Sequence, residues 1–218
     1  MRKKKYRQIG VHSIFSIGCG FIITVFLGMF IFDYNSFRKR YTGYSYDDLK
    51  SVSTVIDDVE SYSFMNSNEL DSVLLDSMQY LKVNCFTLKH SSDLDKFIKS
   101  LSDTVLNDKD KRYMRGQISN ELLLWDNERL VNTWCLTPRD FAQINRSDTV
   151  DYWEEFRANF GNYGHHHYSR PIFNHSKTLC VIEYSWQADW LAGSGGIQLY
   201  KKVNGKWQLL KEMNLWIS

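Results

Sequence analysis

Three consecutive histidines, His165, His166 and His167, raise the question of a metal site. In an extended segment successive side chains point to opposite faces, so His165 and His167 would share one face. Two imidazoles at that spacing can chelate a metal ion, with His175 or Glu183 as a conceivable third ligand. The sequence has no paired motif such as HExxH to complete a ligand set. We therefore favour a polar, mostly exposed lead-in to a β-strand.

Glu183 lies in the apolar run of residues 179–186. A carboxyl group buried beside aromatic residues has a raised pKa and can act as a general acid. The structural alternative is an ion pair with a basic residue such as Arg170. With His165 and His167, Glu183 would serve a membrane-tethered hydrolase or metal-dependent enzyme. Because no complete catalytic constellation is visible, the sequence favours a binding or structural domain without catalysis and without a cofactor.

The segment AGSGG, residues 192–196, is one residue short of the nucleophile elbow GxSxG. An elbow or a phosphate cradle requires a helix directly after the turn, because the helix supplies backbone amides and a positive dipole end. Here a strand is predicted to follow. The segment is therefore interpreted as a flexible Gly/Ser connection between neighbouring strands.

Trp186 and Trp190 flank the loop QADWLAGSGG, which contains that segment. Exposed aromatic side chains at a loop tip can bind a protein or a glycan. The alternative is that both indoles fold back and close the core. The two tryptophans are the candidate binding residues of the chain.

Residues 11–32 contain no Asp, Glu, Lys or Arg. As a helix this run would be roughly 33 Å long, which matches the hydrocarbon core of a bilayer. Five basic residues precede it and three follow, and no small-residue cleavage site ends it. The positive-inside rule then predicts a cytoplasmic tail (1–10), a signal-anchor transmembrane helix (11–32), a linker (33–44) and an extracytoplasmic domain (45–218).

Charge and cysteine content limit the partners of that domain. After residue 40 the chain has 19 Lys or Arg against 24 Asp or Glu, so nucleic acid is not an expected partner. The expected partners are the lipid bilayer, through residues 11–32, and an unknown protein or glycan. Cys85, Cys135 and Cys180 allow at most one internal disulfide, which the sequence does not assign.

The first half of the domain has helical patterns. Apolar residues recur at helical spacing from a capping-box start at Ser45, again over residues 67–82, and again over residues 92–106. The charged residues 107–112 are predicted to form a solvated turn. Residues 117–137 fit either two short strands or a buried helix and a strand, and two strands are the favoured interpretation.

The second half turns from helix to sheet. A helix with Trp153, Phe156 and Phe160 on one face is predicted to start at Asp148 and to end at the following glycines. After it, residues 179–186 and 197–203, and a last strand that follows Asn204 and Gly205, predict an antiparallel meander. The predicted fold is therefore α+β, with an N-terminal transmembrane helix and then helices packed on one face of a C-terminal antiparallel β-meander.

From about residue 150 onward the chain resembles a family of uncharacterised bacterial lipoproteins, secreted proteins and membrane-anchored proteins. The matching motifs are SRPIFN, VIEYSW, WLAGSG, LYKKVNGKW and LWIS. The family commonly carries a cysteine pair in the loop, where this chain has Ala188 and Ala192. The resemblance implies a helix-and-sheet domain and no established reaction.

Overall fold

The computed structural model describes residues 42–67, 81–144, 151–161 and 164–218. In these ranges the helices are α1 (Tyr46–Val52), α2 (Val59–Met65), α3 (Ser92–Ser100), α4 (Asp108–Arg115), α5 (Pro138–Ile144) and α6 (Tyr152–Phe160). The strands are β1 (Leu81–Asn84), β2 (Thr133–Leu136), β3 (His165–Tyr168), β4 (Ile172–Phe173), β5 (Leu179–Asp189), β6 (Ala192–Val203) and β7 (Lys206–Ile217). None of the helices in the described ranges has the length and apolar character that a membrane crossing requires. The predicted span, residues 11–32, lies outside these ranges.

All seven strands form one mixed sheet in the order β2-β1-β3-β5-β6-β7, and β4 pairs with β5. β1 is parallel to β2 and β3, whereas the other pairs are antiparallel. The predicted α+β class and the C-terminal meander of β5, β6 and β7 are confirmed. The parallel part of the sheet was not predicted.

The two turns of the meander are both short. Asn204 and Gly205 have φ angles of 52° and 82°, as the tight hairpin turn predicted for this dipeptide requires. The β5–β6 connection consists of Trp190 and Leu191 alone. The predicted long loop at this position is therefore wrong, because β5 continues to Asp189 and β6 begins at Ala192.

Helices pack on both faces of the sheet. On one face α3 and α4 contribute to a core with β5 and β6 that includes Leu94, Phe97, Val181 and Leu199. On the other face Phe64 of α2 makes edge-to-face contacts with Phe173, Tyr200 and Trp207. Adjacent residues such as Leu199 and Tyr200 point to opposite faces of a strand. The prediction of a single covered face is therefore wrong.

The helical half differs from the prediction in its boundaries. The capping box of Ser45 and Asp48 is confirmed, but the helix ends at Val52 and α2 begins separately at Val59. Residues 107–112 are not a solvated turn, because Asn107 caps α4 and the charges lie within its turns. Of the pattern over residues 67–82, residues 68–80 lie outside the described ranges and the last two belong to β1.

The second cluster of the core surrounds α5 and α6. The predicted apolar face of α6 is confirmed, since Trp153, Phe156 and Phe160 are buried. Asp151 caps this helix; the predicted cap, Asp148, lies outside the described residues. The cluster packs against the end of β2 through Leu136, and it forms the environment of the histidine strand.

Candidate functional site

The three histidines occupy β3, between β1 and β5 in the sheet. On one face the His165 ring packs, at centroid distances of 5.1 to 5.9 Å, among three rings of α5 and α6: Phe141, Trp153 and Phe156. His166 stacks against Tyr168 on the opposite face, so the predicted alternation is confirmed. The predicted exposed lead-in is wrong, because His166 is only 7% exposed and the strand lies inside the sheet.

Burial keeps these imidazoles neutral. It lowers the pKa of His165 to about 3 and the pKa values of His166 and His167 to about 4, because desolvation disfavours the charged ring. A neutral imidazole keeps one nitrogen lone pair for a hydrogen bond or a metal. In the described part of the chain, Nδ1 of His165 and Nε2 of His167 are buried and have no hydrogen-bond partner.

The carboxylate of Glu183 is bound by Ser91, the residue that caps α3. Ser91 donates its backbone N–H to Oε2 at 2.9 Å and its hydroxyl to Oε1. Burial raises the pKa of Glu183, and these hydrogen bonds oppose that effect. The predicted ion pair with Arg170 is wrong, since Nη2 of Arg170 donates to the carbonyl oxygen of Gln117 at 3.0 Å.

Strand register separates Glu183 from the histidines. His167 lies opposite Ser185 in the β3–β5 ladder, and Glu183 is two residues further along β5. His175 contacts Asp110 instead, with 3.3 Å between Nδ1 and Oδ1. Among the described residues no group of three or more His, Cys, Asp or Glu side chains could hold a metal ion. The geometry thus shows two unpaired imidazole nitrogens without a third ligand beside them.

Replacement of Ser91 by Ala is expected to lower the free energy of unfolding by about 2 to 3 kcal/mol. The change removes a hydroxyl that both binds a buried carboxylate and caps a helix. Urea denaturation measures the loss. Ser92→Ala is the matched control, because Ser92 is exposed in the next position and its loss should stay below about 0.5 kcal/mol. Equal losses in the two variants would contradict the role of Ser91.

The glycine-rich residues 192–196 belong to β6, and the indole of Trp216 packs against two of these glycines. A Cβ atom at Gly195 would overlap Nε1 of Trp216, and one at Gly193 would lie 3.1 Å from Cζ3 of the same ring. No helix follows, so the segment is neither a nucleophile elbow nor a phosphate cradle. The predicted flexible connection is also wrong, since the glycines lie within a paired strand.

The two candidate binding tryptophans have different settings. Trp186 lies within β5, paired with Ser194 and partly covered. Trp190 stands on the β5–β6 turn, 64% exposed, and its Nε1 donates to Oδ2 of Asp151 at 2.8 Å. The neighbouring Leu191 is 84% exposed. The tip therefore carries Trp190 and Leu191, whereas Trp186 is a residue of the sheet.

Further exposed apolar side chains lie at the same end of the sheet as this tip, and we call the group the apolar end. The parallel strands begin at the end of the sheet where β5 turns into β6, because His165 pairs with Gln187. β7 finishes there too, since Ile217 pairs with Ser194. The apolar end consists of residues that are 44% to 84% exposed: Val131, Trp134, Trp190, Leu191 and Ile217.

Sequence reasoning found Trp190 but missed the rest of the apolar end and missed Ser91. A Ser-Ser-Asp start before an apolar helix was a usable signal for the cap at Ser91. The resemblance to bacterial lipoproteins and anchored proteins stays a prediction. No family model, curated protein or solved structure matches this chain.

Proposed function

We propose that this is a single-pass membrane-anchored protein whose domain, residues 45–218, lies outside the cytoplasm and binds a partner without catalysing a reaction. The observation that carries the proposal is the uncharged run of residues 11–32, which has the length of a transmembrane helix. The five basic residues before it favour a cytoplasmic position for residues 1–10. Residues 33–44 are then a linker between bilayer and domain.

The positions of the candidate catalytic groups support binding over catalysis. The carboxylate of Glu183 is hydrogen-bonded to Ser91, and His165 is packed among aromatic rings. The alternative, a membrane-tethered metal-dependent enzyme, has the unpaired nitrogens of His165 and His167 in its favour. It lacks a third ligand among the described residues, which a catalytic zinc site needs.

The exposed surface supports a protein, glycan or lipid partner. The apolar end offers indole and aliphatic side chains to solvent, which are groups that contribute strongly to binding interfaces. The excess of acids over bases after residue 40 disfavours a polyanionic partner.

Alkaline carbonate extraction of the full chain tests the anchor. The protein is expected to stay in the membrane pellet, and a tag at its C-terminus is expected to be cleaved by protease added outside spheroplasts. A variant with Ile22→Arg and Val25→Arg should leave the pellet, because each charge costs about 3 kcal/mol at a helix centre. Recovery of the unaltered chain in the soluble fraction, or a C-terminal tag protected from the protease, would contradict the proposal.

A further inference from the structure

We propose that the apolar end rests on the bilayer to which the chain is tethered, with Trp190 and Leu191 inserted among the lipid headgroups. This inference rests on the proposed membrane anchor. The apolar end contacts lipid rather than a second protein.

The shape of this end fits shallow insertion. The β5–β6 turn extends beyond both neighbouring strands, because β3 begins opposite Gln187 and β7 ends opposite Ser194. Three residues of extended chain correspond to roughly 10 Å, which is the depth of the headgroup region that interfacial segments reach. The turn thus presents its two side chains first, and Ile217 of the neighbouring strand β7 lies further back, opposite Ser194.

The side chains at the tip have the chemistry of an interfacial anchor. An indole has an apolar body and one polar N–H, so Trp is favoured at the level of the headgroups. Leu191, 84% exposed, gains from any apolar environment. At the opposite turn of the meander the corresponding residues are Asn204 and Gly205, which have nothing to insert.

The tether makes this contact available. Residues 33–44 are the linker between the uncharged run and the domain, and twelve extended residues span at most roughly 43 Å. A chain of this size has a radius of gyration of about 16 Å, so the domain stays within about one diameter of the bilayer. At that distance the lipid surface is present at a high effective concentration, and a small inserted area suffices.

The charged side chains beside the β5–β6 turn determine which class of lipid headgroup the turn can contact. Oδ2 of Asp151 accepts the bond from Trp190, and Asp189 pairs with Arg157 at 3.1 Å. Two carboxylates against one guanidinium disfavour a strongly anionic surface. The contact is therefore with zwitterionic headgroups, and phosphatidylcholine is the probe.

A fluorescent label at position 191 tests the contact. The full chain, carrying Leu191→Cys in a Cys19→Ser background, is labelled with an environment-sensitive dye and reconstituted in phosphatidylcholine nanodiscs. The remaining thiols, Cys85, Cys135 and Cys180, are buried in the fold. Lipids brominated on their acyl chains are expected to quench the label about twofold, with emission at shorter wavelength. The matched control is Lys206→Cys, exposed at the opposite end of the sheet, where quenching should be negligible.

Each other outcome overturns the contact. No quenching at position 191, or equal quenching at 191 and 206, removes the apolar end from the bilayer. A shift in emission without quenching by brominated lipid indicates cover by protein, such as a second copy of the chain. Incorporation of the chain into nanodiscs reports the anchor separately. A chain that incorporates but stays unquenched contradicts the contact alone, and a chain that does not incorporate contradicts the anchor.

Discussion

Replacement of Gly164 by Ala is expected to lower the free energy of unfolding by about 3 kcal/mol or more. Gly164 has a φ angle of +68°, and a Cβ atom there would overlap the carbonyl oxygen of Gln187 and lie 2.7 Å from Cα of Ala188. The positive φ alone costs a residue with a side chain about 1 to 2 kcal/mol. The overlap is with the backbone of β5, a strand that is paired on both sides, so relief requires distortion of the sheet.

Two other glycines distinguish the cost of the positive φ angle from the cost of the overlap with β5. Gly205 also has a positive φ angle, +82°, but nothing lies within 4 Å of the position that a Cβ atom would occupy there, so Gly205→Ala should cost only about 1 kcal/mol. Gly43 likewise has open space around this position, and Gly43→Ala should change stability by less than about 0.5 kcal/mol. Urea denaturation of the three variants gives the order. A loss for Gly164→Ala no greater than that for Gly205→Ala would show that the close approach to β5 is unimportant.

The meander was predictable because its signals are local. The dipeptide of Asn204 and Gly205 specifies a tight turn wherever it joins two strands. The run of residues 179–186, apolar on both faces, indicates a central strand, and β5 does lie between β3 and β6. Nothing distant in the chain was needed for either conclusion.

The parallel part of the sheet has no such signal. β1 and β2 have four residues each, and Leu81 and Lys82 continue what reads as a helical pattern. Their partners in the ladder are distant in sequence: Val83 pairs with Cys135 and with His166. Tertiary pairing therefore decides the structure of these short segments.

The burial of the histidines follows from the same topology. A strand of sequence HHHY reads as polar, and it becomes interior only because β1 and β5 flank it. The Ser91–Glu183 contact joins residues 92 positions apart. Sequence identified Glu183 as unusual, but the identity of its partner depended on where α3 begins relative to the sheet.

The last strand, β7, was predicted as a strand, but the sequence pattern does not show which of its residues share a face. Apolar residues of β7 recur at odd positions, which share one face of an unbroken strand, but the register of β7 with β6 shifts at Tyr200 and again at Gly196. Each bulge inserts one residue and reverses the alternation. Met213, between the two bulges, consequently packs against the core of α3 and α4, whereas Trp207, before both bulges, packs against Phe64 on the opposite face.

Acidification is expected to unfold the domain between about pH 6 and pH 4, through the three histidines of β3. In the unfolded chain a histidine has a pKa of about 6.5, whereas burial lowers the pKa to about 3 at His165 and about 4 at His166 and His167. Below pH 6.5 the unfolded chain therefore binds protons that the native fold does not. Stability falls as the pH falls through this window, and above it the histidines contribute no pH dependence.

The expected slope is large. Each such histidine contributes up to about 1.4 kcal/mol per pH unit, so three give about 4 kcal/mol per unit near pH 5. Burial also lowers the pKa of His90, which adds to the effect. The raised pKa of Glu183 acts in the opposite direction, because its native carboxyl group binds a proton more readily than the unfolded one. The total stability of a domain is about 5 to 15 kcal/mol, so a fall of two pH units removes much of it.

Urea denaturation at intervals from pH 7.5 to pH 5 measures this slope. His166→Gln removes one buried imidazole, and its slope should be smaller than that of the unaltered protein by about 1.4 kcal/mol per unit. His175→Gln is the control, because the side chain of His175 is 48% exposed and its replacement leaves all three buried rings in place. A free energy of unfolding that is constant from pH 7 to pH 5 would mean that the imidazoles are solvated. The change in the free energy of unfolding per pH unit thus reports how many histidines are buried and neutral in the native fold. It therefore distinguishes a strand packed inside the sheet from a polar strand at its surface.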